Sequence, residues 1–191
     1  MTGQVRDSVR TRRALLDAAA RSVVVHGAGV SLDVVAREAG VSKGGLMHHF
    51  RSKDELMAAL ADDLFDQFDR AVQDRLDPDD TAPGRLLRAY VRATFDDLER
   101  GQDAVEPTTL MATLSSFPEA ARRSQERYRR WNETLADDGL HPDRVVLVMR
   151  ACDGASIAPL FEGPLAPREL ATTRDLLLRL ASDTGPLLNP P

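Results

Sequence analysis

A chain of 191 residues with 42% hydrophobic residues and a net charge of −5 has the size and composition of a globular protein with a buried core, which excludes a disordered chain. Its one cysteine, Cys152, excludes an intramolecular disulfide, and no apolar run approaches the ~20 residues a membrane span requires. The polar N-terminus, MTGQVRDSVRTRR, does not read as a secretion signal, so a reducing cytoplasm is the expected location, with no membrane partner.

In chain order the elements are helices. Leu15, Leu16, Ala19 and Val23 mark the buried face of a first helix expected from about Val9 to His26, with Gly27 ending it. Ser31 caps a short second helix through Ala39, with Leu32, Val35, Ala36 and Ala39 at i, i+3, i+4 and i+7; Gly40 stops it. Ser42 caps a third helix to about Phe50. Ser52 and Glu55 then form a capping box that opens a long fourth helix. Along it Leu56, Leu60, Leu64, Phe68, Val72 and Leu76 recur every four residues, so the buried face should turn along the helix, which Pro78 closes. Five more helices are expected at about 83–100, 107–115, 118–138, 142–161 and 167–182, four of them starting near a proline. Pro159 should kink or end the eighth helix, and the tail GPLLNPP should fray. The fold class is all-α with about nine helices: a three-helix domain over residues 1–53, then a larger helical body over 54–191.

Charge divides the same way. Residues 1–53 hold nine Lys and Arg against four Asp and Glu, a net +5. The remainder holds sixteen against twenty-six, a net −10, which points to a polyanion partner for the N-terminal quarter alone. Both lysines, Lys43 and Lys53, lie in that quarter, behind an arginine-bearing arm with Arg6, Arg10, Arg12 and Arg13.

The short helices around AGVSKGGLMHHF are joined by a tight Gly-Val-Ser turn. This is the helix-turn-helix pattern, whose second helix enters the major groove and meets bases with its N-terminal residues. Glycine costs a helix interior roughly 1 kcal/mol against alanine, so Gly44 and Gly45 call for a reason. At the start of a recognition helix a side chain at 44 would hold the helix off the sugar–phosphate backbone, and glycine permits close approach.

The string A-x-x-A-G-V-S-K-G-x-L-x-H-H-F-x-S-K-x-x-L, from Ala36 to Leu56, resembles the signature of the tetracycline-repressor (TetR) family, over roughly residues 10–57. The resemblance implies a homodimeric, ligand-controlled DNA-binding regulator, usually a repressor. It implies that Ser31, Ser42, Lys43, Gly44, Gly45, His48 and Lys53 touch phosphates or bases, with the arm residues Arg10, Arg12 and Arg13 beside them. Two positions depart from the family pattern. Met47 stands where a DNA-contacting tyrosine is usual, and it offers only apolar contact to a thymine methyl. Gly45 is usually larger, often threonine or alanine. The family also pairs two C-terminal helices with their symmetry mates, which places Val145, Val148, Cys152, Ala155, Leu170, Leu177 and Leu180 at an expected dimer interface, with Val146 and Met149 nearby. Two recognition helices would then lie about 34–36 Å apart on a palindromic double-stranded DNA operator.

Adjacent His48 and His49 point about 100° apart on a helix, unlike ligands at i and i+4, and no metal or cofactor is expected. His49 should pack near Phe50, leaving His48 for DNA. Cys152 lies on an apolar helix as core rather than as a nucleophile, and Asp153 beside it reads as a solvated or paired carboxylate. No catalytic motif is found, so the rival function, an all-helical enzyme with a coincidental helix-turn-helix pattern, has no residues to carry it. A pocket for an apolar or amphipathic small-molecule effector would draw on Phe65, Phe68, Tyr90, Phe95, Met111, Leu114, Phe117, Trp131 and Met149, with Leu110 and Tyr128 further candidates.

Overall fold

The computed structural model describes residues 2–99 and 105–188. The described residues form nine α-helices of seven residues or more and one of four, with no strand. They are α1 (Thr2–His26), α2 (Leu32–Glu38), α3 (Lys43–His49), α4 (Lys53–Gln73), α5 (Arg85–Glu99), α6 (Val105–Leu114), α7 (Pro118–Ala136), α8 (Pro142–Ile157), α9 (Pro159–Glu162) and α10 (Pro167–Leu180).

The chain divides into two compact units, and α4 and α7 each contribute to both. The first unit comprises residues 1–65 and 109–126. Its core joins Leu15, Leu16, Ala19 and Val23 of α1 to Val35, Ala36, Leu46 and Phe50, and to Leu56, Met57 and Leu60 of α4. Leu110, Leu114 and Phe117, distant in sequence, complete it. The helix opening at Lys53 runs without a break through the 53/54 position.

Local chemistry fixes the short helices. The Ser31 hydroxyl accepts from Val34 N–H at 3.3 Å, and that of Ser42 from Gly45 N–H at 3.0 Å. Gly27 and Gly40 adopt φ of 59° and 69°, the left-handed conformation that ends α1 and the segment after α2. Ser52 Oγ accepts from Glu55 N–H at 3.0 Å, but the Glu55 carboxylate reaches back to Arg51 N–H at 2.7 Å, one residue before the cap.

The first helix starts well before Val9. Asp7 pairs with Arg10 at 3.1 Å, and Thr11 Oγ1 bonds the Asp7 carbonyl, so the expected arm is helical. At the other end of the apolar stripe, α4 stops at Gln73 rather than running to Leu76. Arg75 and Leu76 donate instead to carbonyls three residues back, yet Leu76 still packs on the second core.

The second unit comprises residues 66–108 and 127–191. In it Val72 meets Leu87, Tyr90, Val91 and Phe95 of α5, Val148, Met149 and Cys152 of α8, and Leu170 and Leu177 of α10. The stripe along α4 therefore serves one core with Leu56 and Leu60 and the other with Val72. Helix α5 begins at Arg85, where the Asp138 carboxylate accepts from Leu86 and Leu87 N–H at 3.2 and 2.8 Å. Helix α8 ends at Ile157, and Pro159 opens α9.

Two buried arginines clasp the end of α10. Arg88 bonds the Asp80 carboxylate through Nε and Nη2, and its Nη1 donates to the Ala181 carbonyl at 2.6 Å. Arg144 donates to the Leu180 carbonyl at 3.1 Å, to Asp183 at 2.7 Å and to the Gly185 carbonyl. The expected fraying from Gly185 onward is thus corrected at Gly185, whose carbonyl is held; residues 189–191 lie outside the described residues.

Candidate nucleic-acid interface

Helix α3 buries Leu46 and, just past its end, Phe50, while Ser42, Lys43, Gly44, Met47 and His48 face solvent. Gly45 and His49 are half-buried. The buried pair anchors α3 to α1, α2 and α4, so the exposed residues form one outward face. The two imidazoles meet edge to face at 5.6 Å, and among the described residues no group of three His, Cys, Asp or Glu is placed to hold a metal.

Nothing within the chain asks for glycine at 44. A Cβ there would meet only Ser42 Oγ at 3.9 Å, and one at 45 would meet Ser42 Oγ at 3.4 Å and Val41 Cβ at 3.7 Å, both ordinary contacts. Neither residue has positive φ. The helix carries the cost of two glycines without an internal steric cause.

The cations expected at DNA are engaged by partners within the chain. Lys43 Nζ lies 2.9 Å from Asp33 Oδ2. Lys53 donates to the Ala28 carbonyl at 2.6 Å and sits 5.3 Å above the Phe117 ring. The Arg12 guanidinium lies 5.2 Å over Phe50. Arg13, expected on the arginine-bearing arm, is turned onto the protein: it pairs with Asp17 at 2.5 Å, and its Nη1 reaches both oxygens of Asp63 of α4 at 2.7 and 2.8 Å. The Asp17 hydrogen bond, opposed by partial burial and reinforced by the Asp63 charge, raises its pKa above the ordinary guanidinium value. Ser31 is exposed beside Asp33.

The body residues fall into two groups. Met111, Leu114 and Phe117, with Leu110, pack in or against the first core, and Phe65 is half-buried in the same unit. Phe68, Tyr90, Phe95, Trp131 and Met149 belong to the second. The nine pocket candidates therefore do not form one cluster. Within the second unit Phe68, Tyr90 and Trp131 pack edge to face, with centroids 5.0, 5.5 and 6.2 Å apart. Trp131 Nε1–H donates to Asp69 at 2.9 Å, and Arg127 bridges Asp66 and Asp69. A groove of about 230 Å³ opens beside them, lined by Asp69, Gln73, Leu86, Arg127, Trp131 and Thr134 among others. Asp153 is paired, with Arg150 at 2.6 Å and with the Tyr128 hydroxyl, which donates at 3.3 Å. Burial, with the Asp153 charge behind it, pushes the Tyr128 phenol up to about 12. Burial likewise drives Tyr90 upward and pushes the Cys152 thiol up to about 12, which leaves it a core side chain without thiolate character.

The expected dimer residues need correction. Val145, Val148, Cys152, Leu170 and Leu177 are buried within the single chain, in the core around α5, and Ala155 and Leu180 are partly buried against it. The five buried residues are not available to a second chain. The apolar side chains that are exposed lie on the opposite sides of the same helices: Val146, Leu147 and Ile157 of α8, Leu160 and Phe161 of α9, and Leu176 of α10. Leu147 and Ile157 stand at i and i+10 on one face of α8, with Arg150 and Gly154 between them, and Phe161 follows on α9. Asp33 and Asp63 escape sequence reading altogether, because isolated carboxylates carry no motif.

An exposed, glycine-opened recognition helix behind a capped α2, on an all-helical chain, defines the helix-turn-helix class of regulators. Similarity to known proteins agrees. Residues 15–60 match the family described as bacterial regulatory proteins, tetR family, and residues 84–182 match the tetracyclin repressor-like C-terminal domain. The chain belongs to the TetR family of transcriptional regulators. It is similar to the HTH-type transcriptional regulator BetI of Agrobacterium fabrum (strain C58), 33% identical over 117 residues, which is 61% of this chain and 54% of that protein. The chain thus matches little more than half the length of that relative. It is similar in structure to the multidrug binding protein EbrR complexed with malachite green, with a TM-score of 0.71, 26% identity and coverage of 88% of this chain and 96% of that one. A TetR-family member from Streptomyces coelicolor A3 gives a TM-score of 0.70, 26% identity and coverage of 89% and 97%. Among the described residues no helix is long and apolar enough to cross a membrane.

Proposed function

We propose that this regulator is a cytoplasmic homodimeric repressor that binds a palindromic double-stranded DNA operator through α3 and is released by a small apolar or amphipathic effector. The observation that carries the DNA reading is Gly44: it is exposed, helical and free of any internal reason to lack a side chain. A surface that approaches the helix closely supplies the reason. Residues 1–53 would read DNA, with Ser31, Ser42, Lys43, Gly44, Gly45, Met47, His48 and Lys53 at the surface and Arg10, Arg12 and Arg13 flanking it. Residues 54–191 would hold the effector and the dimer face, drawn now through Leu147, Ile157, Phe161 and Leu176. Two recognition helices about 34–36 Å apart would then meet successive major grooves.

An effector in the helical body is supported by EbrR, a multidrug binding protein similar over most of this chain and solved in complex with malachite green. The aromatic residues Phe68, Tyr90 and Trp131 are the proposed contacts for an effector here. By linkage, an effector that weakens operator binding is itself bound more weakly by the operator complex, by the same factor.

The test is a titration of a fluorescent duplex carrying the gene's own upstream region, at several salt concentrations, with light scattering on the free protein. The expected result is a dimeric mass and an affinity that falls steeply with salt. A monomeric mass at micromolar concentration sinks the dimer, and absence of binding at low salt sinks the operator reading.

A further inference from the structure

The Lys43–Asp33 pair sits on the face assigned to DNA. Lys43 is the first residue of α3, where the partial positive charge of the helix end makes a cation unfavourable, so Lys43 does not stabilise its own helix. Asp33, near the start of α2, places a carboxylate oxygen 2.9 Å from the ammonium. Both side chains are well exposed, at 58% and 65%. An exposed pair of this kind adds little to folding. Its larger consequence is electrostatic. A phosphate that takes Lys43 must share the ammonium with Asp33 or displace it, and in either case the carboxylate stands beside the polyanion as a like charge. Held together, the two residues present no net charge to DNA.

We propose that Asp33 is an affinity-limiting residue of the reading face: an internal competitor for Lys43 that lowers attraction to all DNA and leaves discrimination to the residues that meet bases. This rests on the reading of α3 as the DNA-binding helix. It differs from a positioning role, in which Asp33 would hold Lys43 toward its phosphate and its loss would weaken binding. The geometry favours competition, because the exposed carboxylate, 2.9 Å from the ammonium, would meet any phosphate at Lys43 as a neighbouring like charge.

Four proteins test it: the parent, Asp33→Asn, Lys43→Gln and the double variant, each titrated with the upstream duplex and a scrambled duplex over a range of salt. Asparagine keeps the size of Asp33 and removes its charge. Asp33→Asn is expected to bind both duplexes roughly two- to fivefold tighter per recognition helix at moderate salt. Its log–log salt slope is expected to steepen by up to about 0.9 per recognition helix, as Lys43 becomes free to release a counterion. The ratio of upstream to scrambled affinity should stay as in the parent. Lys43→Gln should cost more in the Asp33→Asn background than in the parent. Unchanged or weaker binding by Asp33→Asn, or an equal cost of Lys43→Gln in both backgrounds, overturns the proposal while leaving DNA binding in place. If none of the four proteins binds either duplex at low salt, the reading of α3 fails and takes this proposal with it. Melting curves that coincide within a degree or two exclude a folding defect as the source of any difference.

Discussion

Gly84 and Gly44 are glycines for opposite reasons. Gly84 has φ of +83°, and a Cβ there would lie 2.3 Å from the Ala181 carbonyl, 2.8 Å from Leu140 and 2.9 Å from the Arg88 guanidinium. Its own chain demands the missing side chain, because α10 closes over it and the two arginines hold it there. Gly44 has helical backbone, and a Cβ there would make only an ordinary contact with Ser42 Oγ at 3.9 Å. On the proposed reading, what demands its missing side chain is the DNA outside the chain. One region of the molecule is constrained by its own packing, and the other, on that reading, by what it touches. Substitutions should separate the two into losses of fold and losses of contact.

The largest loss of fold is expected at the first region. Alanine at 84 combines a left-handed backbone, about 1–2 kcal/mol for a non-glycine residue, with overpacking against a backbone carbonyl, about 1–3 kcal/mol. Gly84→Ala should therefore lower stability by about 2–5 kcal/mol, read as a fall in the urea midpoint. A midpoint within error of the parent would mean that the end of α10 yields freely, and the contrast would lose its first half.

Helices α8 to α10 contain both kinds of position side by side. Leu177 is buried against the second core, while Phe161 is 82% exposed. Leu177→Ala should cost about 2–5 kcal/mol of folding stability and leave the dimer dissociation constant unchanged. Phe161→Glu should do the reverse. If each copy loses about 2 kcal/mol of apolar burial, the dissociation constant should rise by roughly a thousandfold, measured by sedimentation equilibrium. If Phe161→Glu remains dimeric at nanomolar concentration, the exposed stripe is not the interface.

These helices also show where sequence reading stops. The caps at Ser31, Ser42 and Ser52 were legible because a hydroxyl and a nearby N–H are local chemistry. So were the apolar stripe of α4 up to Val72 and the outward face of α3, where periodicity leaves little choice. The side of α8 that its own chain would bury was not legible. Val145, Val148 and Cys152 on one side and Val146, Leu147 and Ile157 on the other are equally apolar, and periodicity alone does not say which meets α5. Segment 109–126 joins the first unit through Leu110, Leu114 and Phe117, at a separation no local pattern encodes. The early start of α1 depended on the Asp7–Arg10 pair and Thr11, weak signals in a polar stretch. The Arg13–Asp63 pair was not legible because its partners lie fifty residues apart, whereas Asp17, four residues on, is local.

At Gly44 itself the expected change in fold is small and of opposite sign. Gly44→Ala and Gly44→Leu should hold or raise the melting temperature, by up to about 1 kcal/mol on helix propensity. Gly44→Leu should weaken operator binding by at least about tenfold, or ~1.4 kcal/mol, and Gly44→Ala by less. Gly45→Thr should bind at least as well as the parent, since its Cβ makes only ordinary contacts with Ser42 and Val41. Parent-like binding by Gly44→Leu would remove the external reason for the glycine and leave none.

The smallest expected effect belongs to the surface of α7, which neither packing nor contact constrains tightly. Hydrogen bonds from Arg122 and then Arg123 hold the Glu119 carboxyl at about 2, below its usual 4.5. Arg122 bonds both oxygens at 3.0 and 2.8 Å, and Arg123 reaches one at 2.8 Å. A carboxyl whose folded pKa is depressed adds stability that is present above its unfolded value and is lost as pH falls through the folded one. The window here runs from about 4.5 down to about 2. Glu119→Gln should therefore melt slightly below the parent at pH 7, with a gap that holds to about pH 5 and narrows below it. Because the group is solvent-exposed, added salt should shrink the gap as well. Melts of both proteins at pH 7, 5, 4 and 3, each at low and high salt, decide it. A gap independent of both pH and salt would assign the effect of Glu119 to helix propensity, since glutamine changes that term little but does so at every pH.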